Sequence, residues 1–337
     1  MSKIEELLSQ KILILDGAMG TMLQEYKFSE EDFRGQRFAD WPVSLKGNND
    51  LLSITQPEAI ATIHRKYFDA GADIVETNTF SGTTIAMADY QMEEFVYELN
   101  FESARIAKGV AEQVTAEDPS KPRFVAGAIG PTNKTASMSP DVNDPGYRAI
   151  SFDELRKAYK QQAKALIEGR VDVLLVETVF DTLNAKAALF AIEELKEELN
   201  VDIPIMVSGT ITDASGRTLS GQTAEAFLIS VSHIPLLSVG FNCALGAKQL
   251  TPHLEVLNRY ANSGVSAYPN AGLPNAFGEY DQDAQEMASQ IKEYLDKGLV
   301  NILGGCCGTT PKHIKAIAEI ASNYKPRVLP QLQTESI

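Results

Sequence analysis

Cysteine, tryptophan and histidine are scarce in this sequence of 337 residues, which contains three cysteines, one tryptophan and four histidines. Three cysteines are too few, and odd in number, for a framework of disulfides, so we expect thiols in a reducing compartment. No apolar run approaches the roughly 18 residues that a membrane-spanning helix requires. The first ten residues are acidic and differ from a secretory signal peptide. We therefore predict a cytoplasmic protein.

Positive charge is also in short supply. The 30 lysines and arginines are outnumbered by 45 aspartates and glutamates, which leaves a formal net charge of −15. Such a protein repels the phosphates of nucleic acids and of anionic membranes, so neither is expected as a general partner. Hydrophobic residues make up 44% of the chain, and a chain of this length can bury a large core. The composition thus predicts a soluble globular protein.

Short apolar runs alternate with longer amphipathic stretches along the chain. Eight runs are predicted to be strands: Ile12–Asp16, Asp73–Asn78, Phe124–Ile129, Val171–Glu177, Ile203–Ser208, Leu236–Asn242, Val265–Pro269 and Leu299–Leu303. Eight stretches are predicted to be helices: Pro57–Ala70, Phe95–Val114, Phe152–Glu168, Asn184–Leu199, Ala224–Ser230, Ala247–Ala261, Gln282–Lys297 and Pro311–Ser322. Continuous apolar strands are typical of parallel sheets, and eight βα units favour an α/β (β/α)8 TIM barrel. An open, doubly wound sheet is the alternative.

The barrel is predicted to occupy residues 1–325, with a proline-containing tail or the start of a linker over residues 326–337. Four long connections are predicted to be lids or binding segments: Met22–Leu51, Pro131–Ile150, Asp213–Gly221 and Ala271–Tyr280. Three helix starts have a capping signature, given by Thr55 with Glu58, Ser151 with Glu154, and Thr310 before Pro311.

Polar residues gather at the C-terminal ends of the predicted strands, where a TIM barrel holds its active site. They are Asp16, Glu76, Asn78, Glu177, Asn242, Asn270 and all three cysteines, Cys243, Cys306 and Cys307. Three thiolates with one open coordination position would form a catalytic zinc site. The alternative is three buried cysteines that act as small hydrophobic residues. The histidines fall in or beside helical segments, so no histidine metal site is expected.

Asp16 and Glu177 are predicted to face the mouth of the barrel, where their carboxylates need a cationic partner. The ammonium group of an amino acid would pair with them through charge-assisted hydrogen bonds. The turn Gly17–Gly20 would offer backbone N–H groups to the carboxylate of the same ligand. The alternative is that both acidic side chains are structural acceptors for neighbouring loops.

Several of these motifs together resemble the homocysteine S-methyltransferase family. They are DGAMGTML, ETNTF, the strand end at Glu177, FNC, PNAGLPN and GGCCGTTP. The resemblance extends over about residues 4–330 and, within the family, is to the N-terminal, homocysteine-binding module of cobalamin-dependent methionine synthases. It implies a (β/α)8 barrel that transfers a methyl group to the thiol of L-homocysteine and releases methionine. It also implies that Cys243, Cys306 and Cys307 bind zinc.

The resemblance implies roles for further residues. Asp16 and Glu177 match positions that hold the amino group of homocysteine, and the turn that includes Gly17 matches the region that binds its carboxylate. Asn270 matches a residue that fills the fourth zinc position when substrate is absent. Methylcobalamin is the expected donor. The sequence lacks an Asp-x-His-x-x-Gly cobalamin loop, so cobalamin- and folate-binding modules of a partner chain or a missing C-terminal part would present it.

Three alternatives stay open at this point. The first is a stand-alone methyltransferase that uses S-methylmethionine or a similar donor. The second is a subunit that binds homocysteine and zinc but is inactive without its partner. The third is a different barrel enzyme, with a Schiff base or with a phosphate held by Gly304–Gly305, although no lysine lies at a predicted strand end.

Overall fold

Eight parallel strands form the centre of the protein in a computed structural model that describes residues 2–213 and 215–330. The strands are β1 (Leu13–Ile14), β2 (Ile74–Glu76), β3 (Phe124–Ile129), β4 (Val173–Val179), β5 (Ile205–Gly209), β6 (Ser238–Gly246), β7 (Gly264–Asn270) and β8 (Ile302–Leu303). From β2 to β8 each strand pairs with the next along the chain, and β8 pairs with β1. A parallel bridge between Leu15 and Ile74 joins β1 to β2. The closed barrel is therefore confirmed, and the open sheet is wrong.

One long helix follows each strand on the outside of the barrel. These helices are α1 (Pro57–Asp69), α2 (Val96–Glu117), α3 (Phe152–Glu168), α4 (Thr182–Leu199), α5 (Ala224–Val231), α6 (Ala247–Tyr260), α7 (Ala284–Asp296) and α8 (Pro311–Ala321). Shorter helices cover Lys3–Leu8, Met19–Tyr26, Glu30–Arg34, Leu52–Thr55 and Thr84–Met87, with 3-10 turns at Asn49–Leu51, Ala88–Tyr90 and Glu93–Phe95. In the described part of the chain, none of the helices combines the length and apolar content needed to cross a bilayer.

Two of the three predicted helix caps are confirmed. Ser151 and Glu154 form a reciprocal capping box at the start of α3, and Thr310 caps α8 ahead of a proline. The box predicted from Thr55 and Glu58 is wrong. Thr55 belongs to the preceding short helix and donates its hydroxyl to the carbonyl of Leu51 at 3.5 Å. Helix α1 instead starts with Pro57, which has no N–H to be capped.

Apolar side chains fill the barrel in two layers. Inside the strands, Leu13, Leu15, Val173, Leu175 and Met206 form one buried cluster. The N-terminal helix Lys3–Leu8 closes the bottom of this cluster, to which its buried side chains Ile4 and Leu8 belong. A larger cluster lies between the outer faces of the strands and the surrounding helices. The mouth at the carboxyl ends of the strands is thus left as the polar end of the barrel.

The segment after α8 returns to the bottom of the barrel as far as the structure describes it. Arg327 is 5% exposed, and its backbone N–H donates to the carbonyl of Val300 at 3.0 Å. Its guanidinium donates to the backbone carbonyls of Asn258, Ala261 and Ser263. The domain boundary at residue 325 stays a prediction, and residues 331–337 of the expected tail lie outside the described part.

A glycine inside β6 offers a direct test of this packing. A Cβ at Gly240 would lie 1.9 Å from the backbone oxygen of Ser266 on β7, so the two strands would have to separate. We expect Gly240→Ala to reduce the free energy of unfolding by at least about 3 kcal/mol. Gly109 is exposed within α2, and no atom of the described residues lies within 4 Å of such a Cβ there. Gly109→Ala should therefore stabilise the protein by about 1 kcal/mol, and urea titrations of the two variants measure both changes.

Equal effects of the two glycine substitutions would contradict the strand register assigned to β6 and β7.

Candidate active site

A cleft of about 1180 Å³ opens at the carboxyl ends of the strands. Three of the four long connections predicted to form lids contribute to its lining. Asp50, Thr132 and Tyr280 are examples from the first, second and fourth connections. The segment Asp213–Gly221 supplies no lining residue in the described part of the chain. The cleft therefore lies where the sequence predicted the site, with three connections around it.

All three cysteines meet at this cleft. The Sγ of Cys307 lies 3.7 Å from that of Cys243 and 4.0 Å from that of Cys306. The three sulfur atoms lie within 4.8 Å of one another. A tetrahedral site with Zn–S bonds of 2.3 Å has sulfur–sulfur edges of about 3.8 Å, which is close to these separations. The three thiols therefore fit one metal ion.

Unusual backbone geometry brings Cys243 to the other two cysteines. Cys243 and Ala244 have positive φ angles of 58° and 53°, in a region that non-glycine residues seldom adopt. The register between β6 and β7 shifts at this point, between Asn242 and Gly246. Such conformations cost on the order of 1–3 kcal/mol each and gather at functional sites. The strained backbone at this bulge therefore indicates a functional role for the thiol of Cys243.

Asn242 links the cysteine cluster to β4 and β5. Its Oδ1 accepts the N–H of Thr178 at 3.1 Å and the hydroxyl of Ser208 at 2.7 Å. Its Nδ2 donates to the Oγ1 of Thr178 at 2.8 Å and to the Sγ of Cys306 at 3.8 Å. The sequence placed Asn242 at a strand end without a role. The structure makes it the residue that holds the Cys306 sulfur in position.

One of the thiols favours its ionised form. Hydrogen bonds, first from Cys243 and then from Cys306, lower the pKa of Cys307 to about 3. A thiolate is the form that binds zinc. Cys307 therefore already favours the negatively charged form, whose charge a bound divalent metal ion would balance.

Asp16 and Glu177, the two carboxyl groups predicted to bind a cation, lie on the wall of the same cleft together with Glu76 at the end of β2. The Oδ2 of Asp16 accepts the backbone N–H of Glu76 at 3.1 Å, and Glu177 accepts the hydroxyl of Tyr268 at 3.5 Å. Burial raises the pKa of all three carboxyl groups, and repulsion between them raises these pKa values further. No salt bridge within the described ranges involves any of the three. The pocket therefore fits a ligand that brings positive charge.

The turn predicted to bind a carboxylate leads into the helix Met19–Tyr26. Gly17 cannot carry a side chain, because a Cβ there would lie 2.7 Å from the Oγ1 of Thr309. The N–H of Ala18 already donates to that Oγ1 at 3.1 Å, so this amide is not free for a ligand. No side chain in the described ranges caps this helix, however, and its first residues, Met19 to Thr21, line the cleft. The start of this helix is thus a suitable place for a carboxylate.

Asn270 is buried beside the cysteine cluster. Its Oδ1 accepts the backbone N–H of Cys307 at 3.1 Å, and its Nδ2 donates to the hydroxyl of Tyr280 at 3.5 Å. Tyr280 lies on the last of the long connections and lines the cleft. In this arrangement Asn270 holds the backbone of a cysteine. Its predicted role at the fourth zinc position stays a prediction.

The chemistry of the cleft bears on the rival barrel enzymes. Across the described residues, the cleft has no lysine, arginine or histidine in its lining, so no amine is present for a Schiff base. The N–H groups of Gly304 and Gly305 donate to the carbonyls of Ala267 and Asp16, each at 3.1 Å. These amides are therefore not available to a phosphate.

Asp50 is a further buried acid on the cleft, which the sequence did not single out. Its Oδ2 accepts the N–H of Ser81 at 2.7 Å, and burial raises its pKa to about 7. A carboxyl with a raised pKa stabilises the fold fully below its unfolded pKa, near 4, and this contribution is lost as the pH rises to about 7.

Asp50→Asn should therefore stabilise the protein more at pH 8 than at pH 5, by a difference of about 3 kcal/mol. Denaturant unfolding at the two pH values measures this difference. Asp89→Asn, which changes an exposed acid of the same cleft, should show little of it. A pH-independent effect of Asp50→Asn would contradict the burial of an ionisable group at this position.

Comparisons with known proteins agree with this geometry. The family described as homocysteine S-methyltransferase matches residues 13–321. The chain is similar to the metallated form of the homocysteine methyltransferase MmuM from Escherichia coli, with a TM-score of 0.72, 23% identity, and coverage of 93% of this chain and 98% of that one. It is also similar to a B12-independent methionine synthase from Shewanella sp. W3-18-1 in complex with selenomethionine, with a TM-score of 0.51, 15% identity, and coverage of 93% and 98%. At these identities the two structures show a shared fold.

Proposed function

This chain belongs to the homocysteine S-methyltransferase family, and we propose that it methylates the thiol of L-homocysteine, giving methionine, at a zinc ion bound by Cys243, Cys306 and Cys307. One observation above all supports this proposal. A cluster of three thiols and a pocket of buried carboxyl groups share one cleft. A substrate with a thiol at one end and an ammonium group at the other matches both.

The three cysteines would hold the zinc, and the spacing of their sulfur atoms fits that role. When bound, zinc supplies Lewis-acid stabilisation of the thiolate form of the substrate sulfur. Asn242 would keep Cys306 in position through its hydrogen bond to the sulfur. Contacts of this kind typically change metal affinity by about 10- to 100-fold.

The protein would orient the other end of homocysteine with its own groups. Asp16 and Glu177 would accept hydrogen bonds from the ammonium group, while the first turn of the helix Met19–Tyr26 would bind the carboxylate. The sulfur would then point to the cysteine cluster and to the open cleft. Methyl transfer forms a bond from this sulfur to the methyl carbon as the bond from that carbon to the donor breaks. Fixed orientation of two reactants can supply several orders of magnitude in rate.

We propose methylcobalamin, presented by a partner chain or by further modules, as the donor. The cleft is larger than the roughly 300–1,000 Å³ of ordinary small-molecule sites. Two exposed aromatic side chains, Phe80 and Phe277, lie at its edge, and Phe277 is 89% exposed. A broad, partly apolar opening supports a large donor that docks from outside.

A second candidate donor is a small cation such as S-methylmethionine. The charged side chains that line the cleft in the described ranges are all acidic: Asp16, Asp50, Glu76, Asp89, Glu177 and Glu279. Such a lining attracts a methylsulfonium group and repels an anionic donor. This observation supports a stand-alone enzyme.

The experiment that tests the function supplies the zinc-loaded protein with homocysteine and either free methylcobalamin or S-methylmethionine, and measures methionine by mass spectrometry. Product with methylcobalamin alone supports the first donor, and product with S-methylmethionine alone supports the second. Zinc-dependent homocysteine binding without product from either donor would indicate a subunit that needs its partner. Failure to bind homocysteine would overturn the proposed function.

A further inference from the structure

Among the described residues, Glu76 has no partner that would explain its place in the cleft. Its backbone N–H donates to Asp16, which fixes the end of β2 beside β1. In the part of the chain that the structure describes, its own carboxylate makes no hydrogen bond or salt bridge with a side chain or backbone group, although it lines the cleft. A carboxylate that only held loops together would accept hydrogen bonds from them.

Glu76 also interacts electrostatically with both acids that we assign to the ammonium group of the substrate, Asp16 and Glu177. After burial, the charge of Asp16 is the strongest influence on the pKa of Glu76 and raises it. The charge of Glu76 in turn is the strongest influence after burial on Glu177, whose pKa it raises. The three carboxyl groups therefore repel one another when they are ionised. A positive charge placed among them would relieve that repulsion and favour the ionised form of each carboxyl group.

We propose that Glu76 is a third anionic contact for the ammonium group of the acceptor amino acid, and that it sets the preference for amino-acid thiols over thiols without an amino group. This inference rests on the proposed function. An ammonium group carries three hydrogen-bond donors, and Asp16, Glu76 and Glu177 offer one carboxylate for each. A thiol without the ammonium group would leave three repelling carboxyl groups uncompensated.

The test compares two acceptors that differ only in the amino group, L-homocysteine and γ-mercaptobutyrate. Calorimetry measures the Kd of each for the zinc-loaded wild-type protein and for Glu76→Gln. We expect Glu76→Gln to weaken homocysteine binding roughly 10- to 100-fold, because a charge-assisted hydrogen bond is lost. The Kd of γ-mercaptobutyrate should stay unchanged or decrease, because one repelling charge is removed. Zinc content should be the same in both proteins.

Glu225→Gln is the matched control, since Glu225 is an exposed acid in α5 that does not line the cleft. It should leave both dissociation constants within about twofold of wild type. Equal weakening of both acceptors by Glu76→Gln, or no change in homocysteine binding, would overturn the inference while leaving the function intact. Wild-type protein that binds neither acceptor would instead count against the proposed function.

Discussion

A Cys306→Ser variant is expected to purify without zinc and to lose at least roughly 10³-fold in methyl transfer, while the barrel stays folded. Serine has nearly the shape of cysteine, so the packing around this partly buried position changes little. The hydroxyl is a poor ligand for zinc, however, and only two thiols would remain. Elemental analysis, circular dichroism and the methionine assay measure the three parts of this expectation.

Thermal unfolding adds a control that does not depend on turnover. A ligand that binds only the folded state stabilises it, so added zinc should raise the Tm of the metal-free wild-type protein. The same addition should leave the Tm of Cys306→Ser nearly unchanged. A variant that retained stoichiometric zinc and full activity would show that the three-cysteine assignment is wrong.

The barrel could be predicted from the sequence because each βα unit carries its own signal. The apolar run Phe124–Ile129 and the helix Phe152–Glu168 are found with the predicted bounds. The ends of other strands differ because they depend on neighbours. β6 continues to Gly246, past its predicted end at Asn242, through a bulge with positive φ at Cys243. Cys243 and Ala244 are not residue types that readily adopt a positive φ, as glycine does, so the sequence does not predict this conformation.

The candidate site could be predicted only in part, for the same reason. The thiols and the acids Asp16 and Glu177 were visible because reactive side chains at strand ends are unusual. The role of Asn242 was not, because it arises from contacts with Thr178, 64 positions away. The sequence identifies Glu76 as a polar strand end, but only the closed barrel shows that it lies beside Asp16 and that its carboxylate has no partner in the described part of the chain. Long-range contacts decide which polar residues act together.

Glu177→Gln is expected to raise the KM for homocysteine roughly 10²-fold, with zinc content and kcat changed far less. Glutamine keeps the shape of the side chain and its contact with Tyr268, but it removes the charge that would hold the ammonium group. Steady-state kinetics at saturating donor, with zinc measured on the same samples, tests this split. Glu225→Gln, at an exposed position of α5 outside the cleft lining, should leave the KM unchanged.

The same variant should be more stable than the wild-type protein at neutral pH. Because stability would rise while homocysteine binding weakens, the prediction is specific to a binding role. Burial, followed by repulsion from Glu76, raises the pKa of Glu177. Its contribution to stability is therefore fully present below the unfolded pKa, near 4.5, and is lost as the pH rises through the folded pKa. Glutamine has no proton to lose, so its advantage in denaturant unfolding should grow with pH. A gain in stability together with a loss of homocysteine affinity is expected when a buried charge destabilises the fold but binds the ligand. Equal loss of zinc and of homocysteine binding would show instead that Glu177 supports the metal site.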